Sequence, residues 1–334
     1  MQFTLIVCTY MRPQALLKLL QSVRAQTIYP NAILIVDGST NEVTAQLLKE
    51  HSFENLSYYK VSDQDRGLTK QRNYGIERVG LQSEIVCFLD DDTVLETTYF
   101  EEILKTYQLY PAALGVGGYI NNEVQWQKVT EAYVPNSKEY YYDGWKRSDG
   151  SRFVLRKKFG LDSDQAPGFL PEFSHGRSIS FLPPSGKIYE VAQLMGGVSS
   201  FRVAVFEFQK FSTYFEGYGL YEDADFTLRL SKKGKLYVNT QAQLGHFHDQ
   251  EGRPNQFYYG KMVIRNGWYV WKVAYPKASI AAVCKWHFIS FLLTIVRFTN
   301  VLTTSERKSA FTESVGRVVG WLSLFTNSPK IQSE

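Results

Sequence analysis

Three acids in a row, Asp90-Asp91-Asp92, follow the apolar run Ile85-Val86-Cys87-Phe88-Leu89. Adjacent carboxylates repel one another unless a cation neutralises them. Hard divalent ions such as Mg2+ or Mn2+ favour oxygen ligands and keep substrate phosphates in their coordination sphere. A solvated turn or a helix cap accounts for such a triplet as well, because Asp is common at both. Alone, the triplet points toward a cation site without deciding it. Two more polar clusters, Thr9-Tyr10-Met11-Arg12 and Asp37-Gly38-Ser39, also stand directly after apolar runs.

The elements that must position these clusters alternate along the first third of the chain. Residues 4–8 read as a buried strand, followed by Pro13 and the amphipathic pattern Ala15-Leu16-Leu17-x-Leu19-Leu20 of a helix. The spacing predicts further strands at 32–36, 56–61 and 85–89, with helices over 42–50 and 69–79. Strands alternating with helices imply parallel pairing in a doubly wound α/β sheet. In such sheets ligands collect beyond the carboxyl ends of the strands, so the three polar clusters are expected along one crevice. From about 114 to 195 the pattern becomes irregular and rich in Tyr, Gly, Pro and charge, which predicts loops and short strands covering the sheet. Residues 194–230 carry further polar chemistry, and 235–244 read as another strand. Gly115-Val116-Gly117-Gly118 lacks the full Gly-x-Gly-x-x-Gly spacing and an acidic ribose partner, which predicts a sheet edge or turn there. No Gly-x-Ser-x-Gly elbow and no Walker loop appears, which argues against a hydrolase or an ATPase.

Composition narrows the class. At 334 residues, with 44% hydrophobic and 21% charged residues, the chain can bury a substantial core and is not disordered throughout. A net charge of +4 does not resemble that of a nucleic-acid binder. Cys8, Cys87 and Cys284 show no metal-ligand spacing, and such a sparse, odd set fits a reducing compartment. Residues 1–7 carry no basic leader, and the best apolar stretch, 279–299, is broken by Lys285, His287 and Arg297. A cytoplasmic location is expected on those grounds, peripheral on the inner face of the membrane. Between Glu251 and Glu306 there is no acid, while Lys261, Arg265, Lys272, Lys277, Lys285 and Arg297 alternate with Trp268, Trp271 and Trp286. That mixture suits helices lying on an anionic membrane interface; helices packed on the protein itself or on a partner subunit are the alternative.

Several segments occur in one order: Val7-Cys8-Thr9-Tyr10-Met11-Arg12-Pro13, Ile35-Val36-Asp37-Gly38-Ser39-Thr40, and Gly67-Leu68-Thr69-Lys70-Gln71-Arg72-Asn73-Tyr74-Gly75-Ile76. Phe88-Leu89-Asp90-Asp91-Asp92, Gly196-Gly197-Val198-Ser199-Ser200-Phe201-Arg202 and Gly217-Tyr218-Gly219-Leu220-Tyr221-Glu222-Asp223-Ala224-Asp225 follow. From residue 4 to about 253 this ordered set resembles the inverting family 2 glycosyltransferases, which have the GT-A fold. The third segment is similar to that family's Gly-Leu-x-x-Ala-Arg-Asn-x-Gly-Ile signature, and the fourth to its Asp-x-Asp motif. The loop at Asp37 is one residue shorter than the usual Asp-Asp-Gly-Ser form.

The resemblance implies a Rossmann-like, doubly wound mixed sheet with a C-terminal helical extension. Residues 1–115 would form the nucleotide-sugar-binding half, 116–250 the acceptor-binding and catalytic half, and 251–334 the basic, aromatic extension. It further implies that Thr9, Tyr10 and Arg12 line the nucleotide loop and that Asp37 contacts the base. Arg72 would meet the diphosphate, with Asn73 beside it, and Asp90 or Asp91 would face the ribose. Asp92 would ligate Mn2+ or Mg2+. His246, which closes the strand at 235–244, is the expected protein ligand to the metal, with His248 the alternative. Asp223 is the implied general base, with Glu222 orienting the acceptor or tuning that base; capping of a helix over 225–232 is the competing role for these acids. The implied activity is transfer of a sugar from a nucleotide-diphosphate sugar, a UDP-sugar foremost, to a glycan or lipid-linked acceptor in cell-surface polysaccharide synthesis. Oligomerisation is compatible with this reading and nucleic acid is not an expected partner. A sugar nucleotidyltransferase and a non-catalytic nucleotide- or glycan-binding subunit are the alternatives. The first of these usually carries a Gly-rich basic loop after the first strand, which residues 9–13 lack.

Overall fold

The computed structural model describes residues 1–130, 132–215, 217–247 and 255–331. Strand β1 (Phe3–Thr9) leads into helix α1 (Pro13–Arg24), β2 (Ala32–Asp37) into α2 (Val43–Glu50), and β3 (Leu56–Lys60) into α3 (Leu68–Ile76). Next come β4 (Ile85–Asp90), the short β5 (Thr93–Leu95), α4 (Tyr99–Leu109) and β6 (Gly115–Ile120). Small strands β7 (Gln127–Lys128), β8 (Glu139–Tyr142) and β9 (Trp145–Ser148) precede α5 (Ser151–Lys158). Strands β10 (Ile188–Val191) and β11 (Val198–Arg202) lead to α6 (Glu222–Ser231) and the long β12 (Leu236–His246). Three helices complete the described chain: α7 (Gln256–Ala274), α8 (Ile280–Thr303) and α9 (Arg307–Thr326).

These elements fall into two compact units. The first comprises Met1–Gln125 and Leu182–Gly252, the second Trp126–Phe181 and Arg253–Glu334. Segment 126–181 thus packs in the same unit as the C-terminal helices.

The first unit is built on one mixed sheet ordered β10-β12-β6-β11-β4-β1-β2-β3, with β5 added to the end of β12. Strands β4, β1, β2 and β3 are parallel neighbours, which is why β1, β2 and β4 read as continuous apolar runs: both faces are covered. Helix α1 begins at Pro13, whose missing N–H is no loss at a helix start, and buries Leu16, Leu19, Leu20 and Val23. Those residues join Phe3, Leu5 and Val7 of β1 and Phe100, Ile103 and Tyr107 of α4 in the main core.

Strand β6 corrects the expectation of an edge or turn at residues 115–118. It lies inside the sheet, antiparallel to β11 and parallel to β12. Its glycines make room for large neighbours. A Cβ on Gly115 would lie 2.8 Å from the Phe201 ring, and one on Gly118 would lie 2.4 Å from the Tyr99 ring. Three glycines in four residues argue against a strand by propensity; here they are what lets the buried aromatic rings fit.

The second unit carries the three-stranded sheet β7-β9-β8 and helices α5, α7, α8 and α9. Arg177 is buried in it, forked onto Asp149 (2.9 and 3.0 Å) and onto Asp162 (3.0 and 2.9 Å). The guanidinium also lies over the rings of Tyr140 and Phe153. Burial, assisted by the nearby Arg156, lowers His175 to about 4 and keeps it neutral. Both residues therefore read as braces of this unit. The tryptophans at 268–286 are core as well: Trp271 and Trp286 are buried, Trp268 packs against them, and the Trp271 indole donates to the Glu172 carbonyl (2.7 Å). The tryptophans of this run thus pack into the core of the unit.

Helix α8 corrects a second expectation. By length and composition alone it is long and apolar enough to cross a membrane, with 22% of its most apolar stretch buried. The charges that were expected to break it do so less than their number suggests. His287 lies against aromatic rings, with burial lowering its proton affinity, and Arg297 reaches away to Glu313 (2.6 Å).

Candidate active site

Strand β4 ends where its acids begin, and its neighbours fix where those acids point. Cys8 of β1 stands opposite Asp90, and the Asp90 amide donates to the Gly197 carbonyl (3.0 Å) just before β11. The next residue turns inward. Asp91 is buried, accepting from the Thr9 hydroxyl (2.6 Å) and from Arg12 Nη1 (3.2 Å). Burial pushes its carboxyl up to about 7, against the pull of the Thr9 hydrogen bond and the Arg12 charge. Thr9 and Asp91 therefore hold one another, and Arg12 ties both to Asp92 (3.4 Å).

Strand β5 then brings the far end of the chain back. Thr93 stands opposite His246 of β12, and the Phe247 amide donates to the Asp92 carbonyl (2.9 Å). This register sets His246 Nε2 at 3.1 Å from Asp92 Oδ1, while Nδ1 lies 2.9 Å from Glu123. Asn122 holds the His246 backbone at both its N–H and its carbonyl (2.9 Å each). Burial alone would lower the imidazole's proton affinity, but the bonds to Asp92 and Glu123 outweigh it and lift His246 to about 10. A cation and that proton are alternatives at Nε2.

One ligand atom each from Asp90, Asp92 and His246 lies within 4.8 Å of the other two. Ligands that share an ion at about 2.0–2.6 Å lie at most about 4–5 Å apart, so the spacing fits a shared divalent cation. Two carboxylates and an imidazole suit Mn2+, and Mg2+ less well because of its preference for oxygen. The grouping adds Asp90 to the two ligands expected from sequence. His248 lies outside the described residues.

On the other side of Asp90 stands Arg72, carried by α3 and fully buried. Its Nη1 donates to Glu222 Oε1 (2.5 Å), and Nη2 lies 3.7 Å from Asp90 Oδ1. Phe88 and Phe211 flank the guanidinium at 5.7 and 5.2 Å from their ring centres, a placement that adds attraction between charge and ring. Arg72 is thus unlike an ordinary exposed helix arginine. Glu222 is buried too; desolvation pushes its carboxyl up to about 8, although Arg72 pulls the other way.

Helix α6 starts at Glu222, three residues earlier than expected, behind a turn in which Gly219 and Tyr221 have φ of 74° and 69°. Both acids thereby sit in its first turn, where the helix dipole favours negative charge. Asp223 is only partly buried. Its Oδ2 accepts from the Gly196 amide (3.1 Å) and its Oδ1 from the Ala224 amide (2.7 Å). Gly196 and Gly197 thus pass between the two acidic groups. A Cβ on Gly197 would lie 2.0 Å from Asp90 Oδ2, and one on Gly196 would lie 2.6 Å from Glu222 Oε1 and 2.7 Å from Arg72 Nη1. Gly197→Ala is expected to displace the Asp90 carboxylate and to weaken Mn2+ binding by about 10–100-fold. Calorimetric Mn2+ titration checks this, and an unchanged affinity would remove Asp90 from the cation group.

The remaining expected residues are placed as follows. Asp37 is fully buried, its carboxylate accepting from the Ser39 amide (2.7 Å) and the Tyr58 hydroxyl (2.8 Å). Asn73 clamps the Phe211 backbone through Oδ1 (3.0 Å) and Nδ2 (2.9 Å). Tyr10 is exposed, next to Met11, which has a φ of 61° and whose backbone N–H donates a hydrogen bond to the Ser39 hydroxyl (2.8 Å). Two residues escaped the sequence reading. Gln71 is buried and donates to the carbonyls of Thr9 (3.1 Å) and Val36 (2.8 Å), locking the two loop-bearing strand ends together. Glu123 supports His246, and no motif marks it.

Residues 4–160 match the model of Glycosyl transferase family 2. That stretch, a little under half of the chain, resembles family 2 of the glycosyltransferases. The glucosyl-dolichyl phosphate glucuronosyltransferase of Haloferax volcanii is 29% identical over 123 residues, which are 36% of this chain and 38% of that protein. The chain therefore spans well under two thirds of that relative. The crystal structure of S. aureus TarS 1-349 in complex with UDP superposes with a TM-score of 0.50 at 14% identity, over 98% of this chain and 92% of that one. GalNAc-T7 with UDP, GalNAc and Mn2+ gives a TM-score of 0.51 at 15% identity, over 78% and 47%. At such identities the likeness is one of fold: a GT-A type mixed α/β sheet, with helices at the C-terminal end of the chain.

Proposed function

We propose that this chain is a metal-dependent, inverting glycosyltransferase. It takes a UDP-sugar or a related nucleotide-diphosphate sugar and glycosylates a hydroxyl of a glycan or lipid-linked acceptor in cell-surface polysaccharide synthesis. The observation that carries the reading is the convergence of Asp90, Asp92 and His246 within 4.8 Å, with Asp223 hydrogen-bonded to Gly196 one residue from the glycine that faces Asp90. Support for the donor comes from the UDP in both structural neighbours, and for the metal from the Mn2+ in one of them. The dolichyl phosphate in the name of the Haloferax relative supports a lipid-linked acceptor.

In this reading Asp90, Asp92 and His246 would hold the divalent ion, which would supply positive charge for the departing diphosphate. Asp223 removes the acceptor hydroxyl proton while the acceptor oxygen bonds to the anomeric carbon and the bond from that carbon to the diphosphate oxygen breaks. Displacement from the opposite face inverts the anomeric centre, and the nucleoside diphosphate leaves with the bonding electron pair. Glu222 is buried against Arg72, so Asp223 is the carboxylate available to an acceptor. Arg72 acts by holding Glu222 and Asp90 in place, and Tyr10 offers an exposed ring near the base loop.

The test is a donor panel screened for Mn2+-dependent hydrolysis and thermal shift. A shift with one nucleotide sugar, accompanied by release of its nucleoside diphosphate, supports the proposal. Conversion of the nucleotide sugar and added pyrophosphate to nucleoside triphosphate and sugar 1-phosphate would point to a nucleotidyltransferase, and binding without turnover on any acceptor to a non-catalytic subunit.

A further inference from the structure

Helices α8 and α9 expose an apolar face that the described chain leaves largely uncovered, with the Phe159 ring 6.0 Å from Phe288 at its margin. On α8 the residues Ile280, Phe288, Phe291, Ile295, Phe298 and Leu302 recur at three- and four-residue steps, or multiples of them, and each is at least 44% exposed. On α9 the same holds for Phe311, Val315, Val318, Leu322 and Phe325, each at least 37% exposed. The opposite sides of the two helices bury Trp286, Ile289, Ala310 and Leu324, so these stripes are not a misplaced core. The stripes also meet one another: the rings of Phe298 and Phe311 lie 6.2 Å apart, and His287 stacks on Phe325 at 5.6 Å. A contiguous patch of this kind exceeds what a soluble surface ordinarily tolerates.

Charge decides what covers it. Between residues 255 and 331 there are ten Lys and Arg residues and two acids. Of those acids, Glu313 is buried between Arg297 (2.6 Å) and Arg317 (2.7 Å), which leaves Glu306 as the exposed one. Lys277, Arg307 and Lys308 are exposed at the helix ends that carry the apolar stripes, and the exposed Lys285 reaches over the Phe173 ring (5.0 Å). A second copy laid on this face would bring cations against cations with almost no acid to receive them. An anionic surface complements them, and long Lys side chains reach headgroups while the neighbouring rings enter the acyl boundary.

We infer that the α8–α9 face docks the protein peripherally on an anionic phospholipid surface. The inference is independent of the transferase chemistry and needs no metal or nucleotide. Docking is through one face, because the other face of α8 packs on its own unit through Ala282, Trp286 and Ile289.

The experiment is flotation of the full chain with vesicles of phosphatidylglycerol or of phosphatidylcholine. Expected is binding to the anionic vesicles at least tenfold tighter than to the zwitterionic ones, lost at high salt and on alkaline extraction. The double variant Phe291→Asp/Phe298→Asp is expected to reduce binding at least tenfold with its circular dichroism and melting temperature unchanged. Equal binding to both vesicle types, or none, overturns the inference. So does retention through alkaline extraction, which would mean that α8 spans the bilayer. Sedimentation equilibrium showing a dimer that the double variant converts to monomer, without vesicle binding by the parent chain, would assign the face to a second copy.

Discussion

Asp223→Asn is expected to lower sugar transfer by about 10²–10⁴-fold, the range ordinarily contributed by a positioned general base, while donor binding changes little. The side chain keeps its size and its place in the first turn of α6. What it loses is the ability to take a proton, together with one of the two acceptors that now serve the amides of Gly196 and Ala224. The loss should therefore fall on kcat, with KM for the donor nearly unchanged, and pre-steady-state transfer assays read it directly. Glu222→Gln supplies the contrast. Above about pH 8, where the Glu222 carboxyl is ionised, it removes a charge from a buried pair with Arg72, and breaking such pairs from one side costs about 3–5 kcal/mol. A lowered melting temperature is the expected sign, measured by calorimetry. Full transfer activity in Asp223→Asn would move the base elsewhere.

Loss of the divalent ion is expected to have the second large effect. Chelation should abolish transfer, and added Mn2+ should restore it. Asp92→Ala should weaken Mn2+ by at least about 10–100-fold, since even an outer partner of a metal ligand is commonly worth that much. The variant also strips Arg12 and His246 of a shared carboxylate. His246→Ala tests the same group from β12, and its Mn2+ affinity should fall while Asp90 and Asp92 remain. Electron paramagnetic resonance titration of Mn2+ gives both numbers. An affinity in His246→Ala equal to that of the parent chain would leave the metal to the acids alone.

Much of this site can be read in the sequence because its parts stand at the ends of strands. Asp37 and Asp90 end apolar runs, and the alternation with helices puts β1, β2 and β4 side by side in parallel. The rest depends on contacts between distant residues. Nothing in the sequence pairs Arg12 with Asp91 and Asp92, or Arg72 with Glu222; those pairs exist because three separate elements meet. Glu123 is similarly silent, since its role follows from the position of His246. Strand β6 was hidden by its glycines, whose purpose becomes visible only when Tyr99 and Phe201 are seen filling the space they leave. In the basic aromatic segment the tryptophans form a core while Phe288, Phe291 and Phe298 of α8 stay exposed, because each helix there has two faces and the sequence alone does not say which one is covered.

The position of β6 between β11 and β12 has a consequence for how the molecule is made. Both of its partners are translated long after it, at residues 198–202 and 236–246, and β4 likewise waits for β11 on one side. A nascent or truncated chain stopping near residue 160 would present β6 with no partner on either side and β4 with an open edge, apart from lacking Asp223 and His246. Open edges of that kind invite pairing with other chains. Expression of the matched segment alone should therefore yield aggregates, whereas the sheet can close once residue 246 has left the ribosome.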